Sequence, residues 1–276
     1  MNEMPEWNPA VLLQSPLFEP LHPVLACLEN SNFPSLECCN VLLAACQPPL
    51  TVQRGLPLRF VPQEQGKLSF ETQYEPRCYL NGEVQMRADN WHDMLNALVW
   101  LTFPKSKAAI NARHYHALSN LPDAALQSQR GEVRDMATLF DESGVVVVCA
   151  AEELSGLLRD FQWRELFWRR RSLVQNAMGF YLFGHGLYEK ALQPYIGMTG
   201  QGLILVAEQK FFTWPMERRL AYLDNRVAQY LDSPDHCRST RELTPVPLLG
   251  VPGWSQDNNC EAYYGNTRYF RPSRRT

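Results

Sequence analysis

Four consecutive β-branched residues, Val145 to Val148, lie between the turn-forming stretch Glu142-Ser143-Gly144 and the helical pattern EELSGLLRDF. A run without a polar alternate face reads as a buried strand and must be covered by other elements. Upstream, MATLFDESG is compatible with either the first arm of a hairpin or a helix that ends into this strand. The surrounding signals set the class. Helices are expected over PVLACLEN, SLECCNVLLAAC, EELSGLLRDF, WRELFWRRRSLV and residues 215–232; AMGFYLF, HGLYEKALQPY and GLILVAEQ read as strand, helix, strand. Alternation in LPLRFVP and KLSFETQYE, with Gln65-Gly66 between them, suggests a hairpin, and RCYLNG a further extended piece ending in an Asn-Gly turn.

Helix and strand signals do not alternate strictly, so the expected class is α+β: a helix-rich single domain over residues 1–276 with a small, mostly antiparallel sheet. Residues 1–20, rich in proline and without a clear period, are expected to form an extended N-terminal arm, and residues 233–276 an irregular, turn-rich C-terminal segment. A chain of 276 residues can bury a sizeable core.

Charge excludes some partners. With 26 basic and 29 acidic residues the net charge is −3, too small to gather nucleic acid or an anionic membrane over the whole surface. Local basic runs remain at Arg169, Arg170 and Arg171 and at Arg271, Arg274 and Arg275. They read as a solvated face and a tail, or as contacts for a nucleic acid or protein partner. No apolar run approaches bilayer length, so no membrane partner is expected. The start, MNEMPEWNPAVLL, has no basic region followed by an apolar core and cleavage site. Eight cysteines form no C-x-x-C pair, and the first four sit in apolar helical pattern as reduced core thiols do, which points to the cytoplasm.

The densest chemistry lies in NWHDMLNALVWLTFPKSKAAINARHYH, residues 90–116. Asn90 and Asp93 fit an N-cap and a capping box. His92 and Asn96 then share one face of the first helix, and Lys107, Asn111 and His114 fall in one column of the second. An amphipathic surface helix usually carries Lys and Glu on its polar face, whereas Asn here needs a reason to sit mid-helix. The columns therefore read either as exposed faces or as two walls of a shared cleft. Lys107, Arg113 and Trp100 are further candidates for holding substrate.

In FGHGLYEK, Gly184 and Gly186 allow close backbone approach around His185, and Glu189 lies one helical turn on. The pair suits a histidine oriented by a carboxylate; the plainer reading is a tight turn, a cap and a surface Glu189–Lys190. Asp141 and Glu142, adjacent on an extended segment, would point to opposite faces and form no dyad, although Asp141 can still join a site built elsewhere. Only His185 and Glu189 stand at good ligand spacing, and His114 and His116 would diverge by about 200° on a helix. Three protein ligands are normally needed for catalytic zinc, so no metal is expected. The dinucleotide and P-loop fingerprints are absent, as are G-x-S-x-G and H-E-x-x-H, so no cofactor is expected.

Taken in order, NWHDMLNALVWLTFPKSKAAINARH, TLFDESGVVVV, FGHGLYEKALQPYIGMT and PLLGVPGW make the chain resemble a proteobacterial family of uncharacterised proteins, known only as a domain of unknown function, from about Leu56 to Pro272. The resemblance implies a bacterial origin and one domain, and transfers no catalytic role to any residue. Some relatives are suspected of being transmembrane proteins, which the hydropathy of this chain opposes.

Two functional expectations follow. The first is a soluble bacterial enzyme whose cleft, lined by His92, Asn96, Asn111, His114 and His185, does general acid/base or hydrolytic work on a small polar substrate, with Glu189 or Asp141 orienting a histidine. The second is a non-catalytic binding protein that docks a protein or nucleic acid through Trp91, Trp100, Trp163, Trp168 and Arg169 to Arg171. Buried tryptophans favour the first; an exposed aromatic and basic stripe favours the second.

Overall fold

The computed structural model describes residues 4–28, 32–66, 69–119, 132–233 and 235–272. From Pro9 the N-terminal segment is helical and not an extended arm: α1 (Pro9–Gln14), capped by Asn8, leads into a 3-10 helix (Pro16–Leu21) and α2 (His22–Leu25). Proline favours the first turn of a helix, because its missing N–H has no intrahelical role there. Leu12, Leu17, Phe18, Leu21 and Leu25 are buried. This segment therefore belongs to the core.

After α3 (Leu36–Ala45), strand β1 (Arg59–Pro62) is followed by no hairpin partner in residues 69–81. Those residues instead form a 3-10 turn (Phe70–Thr72) and α4 (Tyr74–Asn81). Phe70, Tyr74 and Cys78 alternate with polar groups in part, but they also stand four residues apart, which is helical spacing. Pro76 denies a ladder donor and is tolerated in a first turn, so the helix wins. Asn81-Gly82, read as a hairpin turn, is the helix C-cap: Gly82 has φ 73°, and a Cβ there would lie 2.2 Å from the Pro57 carbonyl oxygen. Strand β2 (Glu83–Met86) then pairs in parallel with β1.

Helices α5 (Trp91–Thr102) and α6 (Pro104–Ser119) precede α7 (Glu132–Ser143), which ends directly into β3 (Gly144–Cys149). The helix-to-strand alternative is thus the one adopted. Next come α8 (Glu152–Arg159), a π-helical turn (Glu165–Arg169), α9 (Arg171–Ala177), β4 (Met178–Leu182), α10 (His185–Ala191), β5 (Thr199–Val206) and α11 (Met216–Asp232). The C-terminal segment consists mainly of 3-10 turns but contributes β6 (Thr244–Pro247).

The main sheet has the order β4-β3-β5-β6, antiparallel at both ends and parallel between β3 and β5. With the parallel β1–β2 pair beside it, the class is α+β with mixed sheets. Val145 to Val148 are wholly buried at the centre. Buried apolar side chains from Leu12 to Phe270 form one continuous cluster. No helix among the described residues is long and apolar enough to cross a membrane. The eight cysteines are unpaired, but Cys27, Cys38 and Cys260 are exposed, so apolar spacing did not put every thiol in the core.

Candidate functional site

The site forms where α4, α5, α6, α7 and the start of α10 meet. Asn90 caps α5, its side chain accepting from the Asp93 amide at 3.1 Å. The capping box is not completed, because the Asp93 carboxylate accepts from the backbone and guanidinium of Arg87 at 2.7–2.8 Å. This clasp holds Asp93 below its ordinary value against the opposing effect of burial, and fixes the first turn from which His92 projects.

His185 is the first residue of α10, and its flanking glycines have a steric reason. A Cβ on Gly184 would lie 2.5–2.6 Å from backbone atoms of Glu142, Ser143 and Gly144. One on Gly186 would lie 2.3 Å from the Glu142 carboxylate. Backbone cannot yield to a contact this close, so only glycine at 184 lets the end of α7 lie against the β4–α10 turn, while at 186 a Cβ would displace the Glu142 carboxylate. That approach brings Asp141 and Glu142 to the histidine together. They are helical residues, not members of an extended segment, and the expectation of divergent faces fails for that reason.

The resulting cluster is tight. His92 Nε2 and His185 Nε2 are 3.1 Å apart. Glu142 Oε1 lies 3.5 Å from His185 Nε2 and 3.9 Å from His92 Nε2. The other ring nitrogens face carboxylates: His92 Nδ1 pairs with Glu189 Oε2 at 2.8 Å, and His185 Nδ1 lies 3.6 Å from Asp141 Oδ2, too far for a hydrogen bond. Glu189 therefore serves His92 and not its helical neighbour His185. His185 holds Glu142 below its usual carboxylate range, more than burial raises it. Burial would also raise Asp141, but the buried Lys107 ammonium, at 2.5 Å from Asp141 Oδ1, and His185 bring it below 3.8.

A third histidine stands on α6. His114 Nδ1 pairs with Glu75 Oε1 at 2.9 Å, and its Nε2 lies 3.3 Å from the Thr138 hydroxyl. Burial alone would lower this imidazole; the Glu75 carboxylate overrides it and raises the group above 6.5. Asn111 secures Glu75 from behind, its amide donating to Glu75 Oε2 at 2.6 Å and to the Glu75 carbonyl at 3.0 Å. Asn96 donates to the Tyr74 hydroxyl at 2.7 Å, and its buried Oδ1 has no hydrogen-bond partner.

These groups open into one cavity of about 390 Å³, within the size range of small-molecule sites. His92, Asn96, His114, Asp141 and His185 line it, together with Glu75, Thr138, Glu142 and Gln85, which the sequence did not single out for a site role. Lys107 and Asn111 stand one layer behind, through Asp141 and Glu75. Glu75 was hidden because its segment read as a strand, and Glu142 because it read as a turn. Glycine on both sides of a histidine was the available signal for the close approach.

Arg113 and Trp100 are not in the cavity. Arg113 donates to carbonyls of Leu231, Ser233, His236 and Cys237, clasping the end of α11, because its place on α6 points to that helix. Trp100, wholly buried on the core side of α5, lies under the Lys107 ammonium, 5.7 Å from its ring centroid. His116 diverges from His114 as helix geometry requires and meets Tyr79. Trp91 and Trp163 are buried and Trp168 packs on the core. Arg169 and Arg170 pair with Glu165, and Arg171 donates to Asn258 and Asn259. The tryptophans expected of such a stripe are thus packed into the fold, while Arg169 and Arg170 stay exposed in surface ion pairs.

Residues 58–274 match the family described as Protein of unknown function (DUF3025), and the chain belongs to that family. Neither the comparison with curated proteins nor that with solved structures gives a match.

Proposed function

We propose that this chain is an enzyme of hydrolytic, general acid/base type acting on a small polar substrate held in the cavity between α4, α5, α7 and α10. The observation that carries this reading is the convergence of two separately braced imidazole stations on one polar cleft: His114 on Glu75, and His92, beside His185, on Glu189. Clefts that gather titratable groups with carboxylate partners are where such chemistry is done. In the proposed reaction the His92–His185–Glu142 wall takes a proton from a water, whose oxygen attacks the electrophilic carbon or phosphorus of the substrate. The bond to the leaving heteroatom breaks, and that atom takes its proton from His114, which Glu75 holds toward the protonated form. Asn96 and Thr138 supply polar groups that position substrate. Eight unpaired cysteines support a reducing compartment, and we place the enzyme in the bacterial cytoplasm.

A panel of chromogenic carboxylic esters, amides and phosphodiesters tests the reading. Wild-type protein is expected to turn over at least one class, with His114→Ala and His92→Ala each slower by about 100-fold or more, the usual worth of a positioned acid or base. Rates unchanged in both variants, or a wild type inert to every class, would overturn it.

A further inference from the structure

We propose that His92 Nε2, His185 Nε2 and Glu142 Oε1 form a binding site for one divalent first-row transition metal ion, zinc foremost. The site stands on geometry alone and does not require that the chain be an enzyme; in a protein with the ion bound, these three side chains serve as ligands and not as the base of the enzymatic reading. The three atoms are separated by 3.1, 3.5 and 3.9 Å. Ligands about 2.0–2.2 Å from one tetrahedral ion are about 3.3–3.6 Å from each other, so movements of a few tenths of an ångström suffice to close the site. Two imidazoles and one carboxylate are a donor set that suits zinc and its neighbours, and three protein ligands leave a position open toward the cavity.

The second shell supports the same reading. A metal-binding histidine commonly turns its other ring nitrogen to a carboxylate, which fixes the tautomer and aims the remaining lone pair at the ion. His92 does so, toward Glu189 at 2.8 Å; the buried His185 Nδ1, which has no hydrogen-bond partner, faces Asp141 Oδ2 at 3.6 Å and needs a shift of a few tenths of an ångström to complete the same arrangement. In the tautomer that a carboxylate behind each ring favours, with Nδ1 protonated, two lone pairs and a carboxylate oxygen converge on one point. Three such donors repel one another unless a cation lies between them. His185 is almost wholly buried, and its Nδ1 has no hydrogen-bond partner, so little water reaches the ring to satisfy it. Gly186 preserves the arrangement, since a Cβ would displace the Glu142 carboxylate.

Spacing rules missed this site because its ligands come from the starts of α5 and α10 and the end of α7, with no two of them within one turn. His185 and Glu189, the pair at good ligand spacing, divide their roles between the ion and the ring behind it.

The test uses full-length protein stripped with chelator, dialysed and titrated separately with Zn²⁺ and Co²⁺, with metal content measured by elemental analysis and Co²⁺ coordination by visible absorption. Wild type and His116→Ala, whose imidazole faces Tyr79, are expected to bind one ion per chain. His92→Ala and Glu142→Ala, at partly exposed positions and checked for native circular dichroism, are expected to bind more than about 100-fold more weakly, exceeding what loss of an outer partner causes. Folded wild type that takes up neither ion, or an ion held equally by both variants, overturns the site. Turnover by a protein that binds no metal would refute this site and leave the enzymatic reading standing; a bound ion without turnover would do the reverse.

Discussion

The Nε2 atoms of His92 and His185 face each other across 3.1 Å, and the ring of His92 is held from behind by Glu189 at 2.8 Å. Glu189 thereby acts on the cleft through another side chain. Glu189→Gln keeps an acceptor for the ring N–H but removes the charge that holds it in a strong, charge-assisted hydrogen bond. Turnover and metal affinity should each fall about 10- to 100-fold, with the melting temperature nearly unchanged. If both stay at wild-type values, Glu189 is a surface carboxylate and not a positioning residue.

Lys107 and Asp141 form a pair at 2.5 Å, with both side chains largely buried. Truncating one partner of such a pair strands the other, so Asp141→Ala should cost about 3–5 kcal/mol of unfolding free energy. Lys107→Met with Asp141→Asn should recover a substantial part of that loss. The depressed Asp141 carboxyl adds stability that is present above its ordinary value of 3.8 and disappears as pH falls through the lower, folded value. Urea unfolding of wild type and both variants at neutral pH decides the matter: a single-variant cost below about 1 kcal/mol would mean that water reaches the pair.

His114 differs in sign. Its folded-state affinity for the proton is raised by Glu75, so the pair's contribution is complete below 6.5 and is lost as pH climbs through the raised value. The stability gap between wild type and His114→Gln should therefore be wide in mildly acidic buffer and narrow in alkaline buffer. A gap independent of pH would show that burial offsets the Glu75 charge completely.

The two glycines around His185 should fail in different ways. Gly184→Ala drives a Cβ into the backbone at the end of α7, which has nowhere to move, and is expected to cost about 1–3 kcal/mol or more. Gly186→Ala meets the movable Glu142 carboxylate at 2.3 Å and the Glu142 carbonyl at 3.1 Å, while gaining about 0.5–1 kcal/mol of helix preference. It should keep its stability and lose the cluster's metal affinity. Equal loss of stability in both variants would place the constraint in the backbone alone.

Arg113 is expected to matter for folding and not for chemistry. Its guanidinium satisfies carbonyls at the end of α11, and hydrogen bonds to a charged group are each worth about 1.5–3 kcal/mol. Arg113→Ala should lower stability by an amount of that order, and Arg113→Lys should recover little because an ammonium lacks the planar fork. A change in metal affinity or turnover without a change in stability would return Arg113 to the cleft.

Local order determined much of this protein. The helical spacing of α5, α6 and α11, the buried valine strand and the Gly-flanked histidine are properties of short stretches, because a helix or strand face is set by residues a few positions apart. Residues 69–81 show where this ends: their apolar groups satisfy strand and helix spacing together, and Pro76 and Gly82 tip the balance only when the β1–β2 pair claims the neighbouring backbone. The site lies beyond local order altogether. Whether Asn111 and Lys107 face solvent or brace a carboxylate depends on α4 and α7, which pack against α6 from elsewhere in the chain. That Glu142 meets His92 and His185 follows from the contact of Gly184 and Gly186 with the end of α7. Spacing along one element fixes which side chains share a face; only the packing of several elements fixes what those faces meet.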